Sequence, residues 1–307
     1  MHPTPRIGII GIGAMGLAMA RNLHARNYAV KVRDIDPQAL ARAAALKLEA
    51  APSAAALAAQ ADVLIVVVVD AQQIEEVLFG ADGVVQAGAV DAVGVAAARS
   101  TPLTVMLCST IAAHDTEQFQ RRLAEHGIDM LDAPISGGPV RAADGSMSMM
   151  LAGADALRAR HATLLNALAA KLFYVGAKVG DAARTKLVNN LLAGVNLVAA
   201  AEALALGAQL GLDRQALFEV IDASSGASWI GHDRMARALV DDFEPRARAV
   251  ILTKDVTLAV AMADAAGIAT PLADVALGVF RATVAAGFGE QDDAAVIKAI
   301  WPGFARR

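Results

Sequence analysis

Short apolar runs alternate with helical patterns along the first half of the chain. The run at residues 63–69 (VLIVVVV) is apolar at every position and rich in β-branched side chains, which predicts a central strand covered on both faces. The segments with strand character are 6–11, 29–34, 48–51, 63–69, 103–109, 128–131, 147–151 and 173–175. Helical patterns separate them at 14–25, after Pro37, after Ser53 and at 114–126, whereas 83–102 predicts an insertion with a helix and a loop. This alternation indicates an α/β fold with a doubly wound parallel sheet.

The pattern changes near Gly180, where strand character ends. From Asp181, the expected N-cap, helical periodicity continues to about Leu210, and helices punctuated by Gly, Pro and Asp follow. We therefore predict a sheet domain at residues 1–178 and an all-helical domain at 179–307. A helix this long and apolar needs a packing surface, so we expect it to lie between domains or against a partner subunit.

The composition agrees with two folded domains. Hydrophobic residues make up 56% of the chain and charged residues 19%, and mean hydropathy is +0.46, which excludes a disordered protein. A membrane span needs about 18 consecutive apolar residues. The run at 63–69 is too short, and the run at 191–212 is interrupted by Asn196, Glu202 and Gln209. We therefore expect no membrane association.

Charge and cysteine content narrow the class of protein further. The net charge is −4 and the sequence contains no basic cluster, so we expect no nucleic-acid partner. The single cysteine, Cys108, fits a reducing compartment. Because the first strand begins within a few residues of Met1, a signal peptide is not expected, and the chain is predicted to be cytoplasmic.

A glycine-rich turn follows the first predicted strand. The segment Gly11-Ile12-Gly13-Ala14-Met15-Gly16 is a G-x-G-x-x-G motif between a strand and a helix. In such turns the first glycine permits a tight turn, the second lets the backbone approach a pyrophosphate, and the third allows close helix packing. The segment therefore predicts a dinucleotide site, although glycine-rich turns also serve packing alone.

The end of the second strand bears on which dinucleotide binds. Asp34 stands where a carboxylate accepts hydrogen bonds from the adenosine ribose, and its charge repels a 2′-phosphate. Arg33 could accommodate that phosphate, but strand alternation predicts that the two side chains point to opposite faces. NAD is therefore favoured, with NADP left open.

Hydride transfer to a dinucleotide requires that the proton of the substrate hydroxyl is also removed. The six histidines form no recognisable catalytic or metal-binding arrangement, so we expect another residue type to accept this proton. Ser136, Gly137 and Gly138 present a hydroxyl and two consecutive glycine amides, a combination that suits a carboxylate. A plain turn is the alternative.

Lys186 and Asn190 share one face of the long predicted helix, which is otherwise apolar. A lysine in such a helix is either paired or functional, or it extends its ammonium group to water. Partial burial lowers the pKa of a lysine, which suits general acid/base work near neutral pH.

Four motifs in order resemble the β-hydroxyacid dehydrogenases, the group that contains 3-hydroxyisobutyrate dehydrogenase and tartronate semialdehyde reductase. They are GIGAMGLAMARNL, DAPISGGPVRAADGSMSMM, GDAARTKLVNN and LTKDVTLA. The resemblance extends over nearly the whole chain. It implies a Rossmann domain that binds NAD, followed by a helical domain that takes part in oligomerisation.

The resemblance also implies roles for single residues. Lys186 would be the general acid/base and Asn190 would orient the substrate, while Ser136, Gly137 and Gly138 would hold its carboxylate. Thr110 would meet the nicotinamide end of the cofactor, and Lys254, supported by Asp255, would reach the cofactor and substrate region. Val69 replaces a proline that is usual after the fourth strand, and Trp229 either lines the substrate pocket or belongs to the core.

Within the family, the stretches VLFGADG, SSGASWIGHDRM and GFGEQDDAAVIK resemble the L-threonate dehydrogenase branch. The resemblance implies an oxidoreductase for a small hydroxy acid, threonate-like or 3-hydroxyisobutyrate-like, that forms a homodimer or homotetramer. An NADPH-preferring reductase of tartronate or succinic semialdehyde is one alternative. A non-catalytic binding protein with the same fold is another.

Overall fold

A mostly parallel sheet forms the centre of the first of two compact units, Met1–Lys186 and Leu187–Arg307. The computed structural model describes residues 4–87, 101–301 and 303–304. The strands of the described chain are β1 (Ile7–Ile10), β2 (Val30–Arg33), β3 (Glu49–Ala50), β4 (Val63–Val66), β5 (Thr104–Leu107), β6 (Asp129–Asp132), β7 (Ile135–Ser136), β8 (Met147–Ala152) and β9 (Ala169–Gly176).

The strand order is β3-β2-β1-β4-β5-β6-β8-β7, with β9 paired to β8. Neighbours from β3 to β6 are parallel, β8 runs antiparallel to β6 and β7, and β9 is parallel to β8. The order reverses direction between β1 and β4. In a doubly wound sheet, ligands bind at the carboxyl ends of the strands at such a switch point. The predicted Rossmann fold is confirmed.

Helices cover both faces of this sheet. They are α1 (Ala14–Ala25), α2 (Pro37–Ala45), α3 (Ala54–Gln60), α4 (Ala71–Phe79), α5 (Ala113–Glu125), α6 (Gly138–Asp144), α7 (Asp155–Arg160) and α8 (Ala162–Leu168). Alternate strand residues enter different cores, since Ile9 packs in one cluster and Ile10 in the other. Pro37 begins α2, and the Ser53 hydroxyl caps α3 by accepting from the Ala56 N–H at 3.0 Å.

Several segments differ from the sequence prediction. The fourth strand ends at Val66 because the Val68 N–H donates to the Ser109 hydroxyl (2.9 Å) and leaves the strand ladder. The short elements β7, α6, α7 and α8 were not predicted. Within the expected insertion at 83–102, Val84–Gln86 forms a 3-10 turn, and residues 88–100 lie outside the described chain.

The regular elements in the described residues of the second unit are helices, apart from an isolated β-bridge between Arg248 and Asp292. Helix α9 (Asp181–Gln209) begins in the first unit and continues into the second. It is followed by α10 (Arg214–Asp222), α11 (Trp229–Ala238), α12 (Ala249–Ala265), α13 (Pro271–Thr283), a π-helical turn at Val284–Phe288 and α14 (Val296–Ile300). Side chains such as Leu197, Val256, Phe280 and Ile297 form its core. The predicted helical second domain is confirmed.

Two helical segments have the length and composition of a membrane span. These are Asp181–Gln209, with mean hydropathy 1.8, and Pro271–Phe288, with mean hydropathy 1.3. About a third of the most apolar window in each is buried within the chain. Core and interface helices of water-soluble proteins have the same properties. In α9 the buried polar side chains of Lys186 and Asn190 interrupt the apolar sequence.

Candidate active site

The glycine-rich turn joins β1 to α1 in close contact with the loop after β4. Gly11 has a φ of +86°, and a Cβ there would lie 2.8 Å from the carbonyl carbon of Val67. A Cβ on Gly16 would overlap the carbonyl oxygen of Gly11. By contrast, a Cβ on Gly13 would meet no heavy atom of the described chain within 4 Å. The first and third glycines thus serve the turn itself, and the second borders open space.

The first turn of α1 fits the phosphates of a dinucleotide. Ala14 and Met15 begin this helix, and no side chain of the described residues caps it. Uncapped backbone N–H groups at a helix N-terminus, together with the positive end of the helix dipole, favour an anion. When bound, the dinucleotide would be held here by the turn from Gly11 to Gly16.

Asp34 connects the end of β2 to the glycine turn. Its Oδ2 accepts from the Ile12 N–H at 2.7 Å, and its Oδ1 accepts from the Asp36 N–H at 2.9 Å. The Arg33 guanidinium turns back and donates to the carbonyl oxygen of Asp34 at 2.7 Å. This contact is with the backbone of Asp34 and not with its carboxylate, so the expectation that the two side chains point to opposite faces stays a prediction.

The loops after β4 and β5 lie beside each other at the same edge of the sheet. The Val69 N–H donates to Gln73 Oε1 at 2.9 Å, and the Val68 N–H donates to the Ser109 hydroxyl. Thr110 follows Ser109 directly and is partly exposed. The structure thus brings Val69 and Thr110 to the carboxyl ends of neighbouring parallel strands. Ser109, which fixes this arrangement, was missed by sequence reasoning.

The predicted carboxylate loop follows β7. Ser136 ends that strand, and Gly137 and Gly138 have φ values of +129° and +73°, which favour glycine. A Cβ on Gly137 would lie 2.9 Å from Arg141 Cδ, whereas one on Gly138 would meet no described atom within 4 Å. The loop therefore needs two consecutive glycines and opens to space at the second, and its binding of a carboxylate stays a prediction.

Lys186 and Asn190 lie one turn apart on α9, and both are buried, with 8% and 7% of their surface exposed. In the second unit, Asn190 Nδ2 donates to Asp255 Oδ2 at 2.7 Å. The other carboxylate oxygen of Asp255 accepts from Lys254 Nζ at 2.7 Å. Asn190 Oδ1 also accepts from Asn189 Nδ2 at 3.1 Å. One buried carboxylate therefore holds both the predicted orienting amide and the predicted cofactor-reaching lysine.

Trp229 is the first residue of α11. It is 53% exposed, so its alternative assignment to the core is wrong. The guanidinium of Arg234 lies 6.0 Å from the centre of its ring. Arg234 in turn pairs with the buried carboxylate of Asp293 at 2.5 Å. This ion pair fixes the helix that presents the tryptophan.

One of the described histidines is buried in the first unit. His161 is buried at the junction of α7 and α8, where its Nε2 lies 2.9 Å from the Thr104 hydroxyl. Across the described residues, no group of three or more histidine, cysteine, aspartate or glutamate side chains could hold a metal ion.

Asp132 is a second residue that sequence reasoning missed. It ends β6, and its Oδ2 accepts from three N–H groups at the start of α9. Asp181, the expected N-cap, is instead the first residue of the helix. The available signal was a carboxylate at the end of a buried strand, immediately before the glycine loop.

Comparison with known proteins agrees with this architecture. Residues 6–176 match the NAD binding domain of 6-phosphogluconate dehydrogenase, and residues 180–300 match the NAD-binding domain of NADP-dependent 3-hydroxyisobutyrate dehydrogenase. L-threonate dehydrogenase from Cupriavidus necator is 39% identical over 297 residues, which cover 97% of this chain and 96% of the relative.

Solved structures agree as well. The crystal structure of 3-hydroxyisobutyrate dehydrogenase from Salmonella typhimurium has a TM-score of 0.85 and 35% identity, covering 95% of this chain and 99% of that one. Psf3 in complex with NADP+ and 2-OPP has a TM-score of 0.86 and 25% identity, covering 96% and 99%. The chain is therefore an NAD(P)-binding dehydrogenase that belongs to the β-hydroxyacid dehydrogenase family, together with 3-hydroxyisobutyrate and L-threonate dehydrogenases.

Proposed function

We propose that the protein oxidises the hydroxyl group of L-threonate, or of a closely related small hydroxy acid, with NAD as the cofactor. The observation that carries this proposal is the buried polar set on α9 and α12. Lys186 is nearly inaccessible to water, and Asn190 one turn later is held by the Asp255 carboxylate. Buried lysines are retained where they are paired or functional. The similarity to L-threonate dehydrogenase supports the choice of substrate.

In this proposal Lys186 accepts the proton of the substrate hydroxyl as the carbon–hydrogen bond breaks. Bound NAD supplies the hydride acceptor. Asn190 uses one amide hydrogen for Asp255, which leaves the second for a substrate oxygen. Because Asp255 fixes the amide, the substrate oxygen is held in one orientation during proton transfer.

The loop from Ser136 to Gly138 would bind the substrate carboxylate. Its support is the pair of glycines in the left-handed region and the open space next to Gly138. Backbone N–H groups in successive positions of this kind form a concave site for anions. A carboxylate held here would leave the hydroxyl-bearing carbons of the acid for Lys186.

A second candidate function is an NADPH-preferring reductase of a small semialdehyde. The position of Arg33 favours it, because the guanidinium lies beside the backbone of Asp34, where a 2′-phosphate would bind. The ratio of kcat/KM values for NADH and NADPH separates the two candidates. Preference for NADPH would contradict the role given to Asp34. The third alternative, a binding protein without activity, is less well supported because Lys186 and Asn190 are both present and buried.

We also propose that residues 1–178 form the cofactor domain, that residues 179–307 form the helical domain, and that the protein is a cytoplasmic homodimer or homotetramer. Apolar side chains exposed on α9 and α13 support the oligomer, since a partner subunit would remove them from water. They are Val188, Leu192, Leu206, Leu272 and Val275. A monomer in light scattering at micromolar concentration would contradict the oligomer.

The main test uses a panel of three- to five-carbon hydroxy acids that includes L-threonate, followed by NADH absorbance. The variant Lys186→Ala should lower kcat by about 100-fold or more with NAD affinity retained, as expected for a general acid/base. Lys171→Ala, which removes an exposed lysine from β9, is the matched control and should be unchanged. Near-normal turnover by Lys186→Ala would refute the proposed mechanism.

A further inference from the structure

The carboxylate of Asp132 binds the beginning of the helix that carries Lys186. Its Oδ2 accepts from the N–H groups of Gly180 at 2.8 Å and of Ala182 and Ala183 at 3.1 Å. Asp132 is only 1% exposed. The first turn of an α-helix leaves N–H groups without a partner inside the helix. In α9, most of these partners come from one side chain about fifty residues earlier in the chain.

This side chain connects two segments of the proposed active site within the first unit. Asp132 stands four residues before Ser136, which is the first residue of the carboxylate loop. Its acceptor contacts end at Ala183, which is three residues, or about one helical turn, before Lys186. Movement of the first turn of α9 would therefore move the lysine relative to that loop.

Folding alone does not explain a carboxylate here. Burial raises the pKa of Asp132 to about 6 despite the three N–H groups, which act in the opposite direction, and Asp181 adds a repulsive charge. The thiol of Cys108, the residue directly after β5, is also buried, and its burial together with the charge of Asp132 raises its pKa, so it stays neutral. At neutral pH the folded protein thus holds an ionised group that its surroundings disfavour. A neutral amide in the same place would carry no buried charge, but its oxygen would be a weaker acceptor for these N–H groups than the carboxylate is.

We propose that Asp132 is a positioning residue for the reaction: its carboxylate fixes the first turn of α9 and thereby sets Lys186 relative to the Ser136–Gly138 loop. The inference rests on the proposed function of Lys186. It adds a residue that acts through the helix and not by contact with substrate or cofactor.

The test compares Asp132→Asn with Asp181→Asn, which makes the same chemical change at a partly exposed position of the same helix terminus. Asp132→Asn should lower kcat for the hydroxy acid by about tenfold to a hundredfold, the scale on which small misplacements of catalytic groups act. NAD affinity should stay within twofold, and the melting temperature at pH 8 should not fall. Asp181→Asn should leave all three quantities within twofold or unchanged.

A second measurement does not depend on turnover. The rate at which acetic anhydride modifies Lys186, read by peptide mass spectrometry against Lys171 in the same sample, should change at least threefold in Asp132→Asn. A kcat within twofold of wild type overturns the proposal, as does a joint loss of NAD affinity and melting temperature, which indicates a merely structural role. If the wild type oxidises no acid in the panel, the proposed function fails. The labelling rate then decides alone, and an unchanged rate overturns the positioning role.

Discussion

The glycine-rich turn allows one pair of substitutions to separate cofactor binding from folding. Gly13 and Gly16 lie three residues apart in the same motif, and each can be replaced by alanine. A methyl group on Gly13 meets no described atom within 4 Å, and the φ of −63° there is accessible to alanine. A methyl group on Gly16 overlaps the carbonyl oxygen of Gly11 and lies 3.0 Å from its carbon.

The expected magnitudes follow from these contacts. Gly13→Ala should change the free energy of unfolding by less than about 1 kcal/mol, since the methyl group has free space. It should prevent close approach of the pyrophosphate and remove at least one charge-assisted hydrogen bond, which corresponds to roughly 3 kcal/mol or a 100-fold weaker Kd for NAD. Gly16→Ala must displace backbone and should destabilise the first unit by about 3 kcal/mol.

Isothermal titration with NAD gives the Kd, and urea unfolding gives the free energy of unfolding for each variant. Gly13→Ala should lose affinity but keep its stability, and Gly16→Ala should lose stability first. If Gly13→Ala binds NAD within threefold of wild type, the open space next to Gly13 is not the pyrophosphate site. If Gly16→Ala is as stable as wild type, the packing argument for the third glycine is wrong.

Three further predictions concern pH, the buried polar set and the substrate loop. Burial lowers the pKa of His161 to about 4, so the unfolded chain takes up a proton first as the pH falls. The free energy of unfolding therefore falls between about pH 6.5 and pH 4. In His161→Gln, whose amide can still bond to Thr104, urea unfolding should show about 2.5 kcal/mol less of this loss between pH 7 and pH 4.5. Equal losses in both proteins would contradict this prediction. Asp255→Asn should lower kcat by roughly tenfold or more because Asn190 loses its charged acceptor, and an unchanged kcat in steady-state kinetics would show that the amide needs no fixing. Ser136→Ala should raise the KM for the hydroxy acid about tenfold and leave the KM for NAD unchanged. A rise in both KM values would contradict a specific contact between the Ser136 hydroxyl and the substrate carboxylate.

The sequence was sufficient to predict those elements whose start or length is marked by neighbouring residues. Helix α1 has the bounds that the sequence predicts, because the glycine motif marks its start and the helical pattern its length. Pro37 and Ser53 occupy helix starts for reasons contained within a few residues of each chain segment. The order of these elements was enough to predict the parallel sheet and its dinucleotide turn.

Short helices and contacts between distant residues could not be predicted from the sequence. The helices α6, α7 and α8 have six or seven residues, too few for periodicity to distinguish them from loops. Asp181 was expected to cap α9 because capping rules consider only neighbouring residues. The capping carboxylate instead belongs to Asp132 at the end of β6. The hydrogen bond from Val68 to Ser109 likewise joins two loops that only the folded sheet brings together.

The two hydrogen bonds of Asp34 have a consequence for changing the coenzyme. Its carboxylate is both the group that would discriminate against a 2′-phosphate and the acceptor that holds the Ile12 N–H in the glycine turn. A substitution that removes both the charge and the acceptor oxygen therefore also loosens the turn that must receive the pyrophosphate. An engineered enzyme for NADP would need a neutral side chain that still accepts from Ile12, such as asparagine, so that Arg33 beside this backbone could pair with the 2′-phosphate. Coenzyme preference and the shape of the binding turn thus depend on the same side chain in this protein.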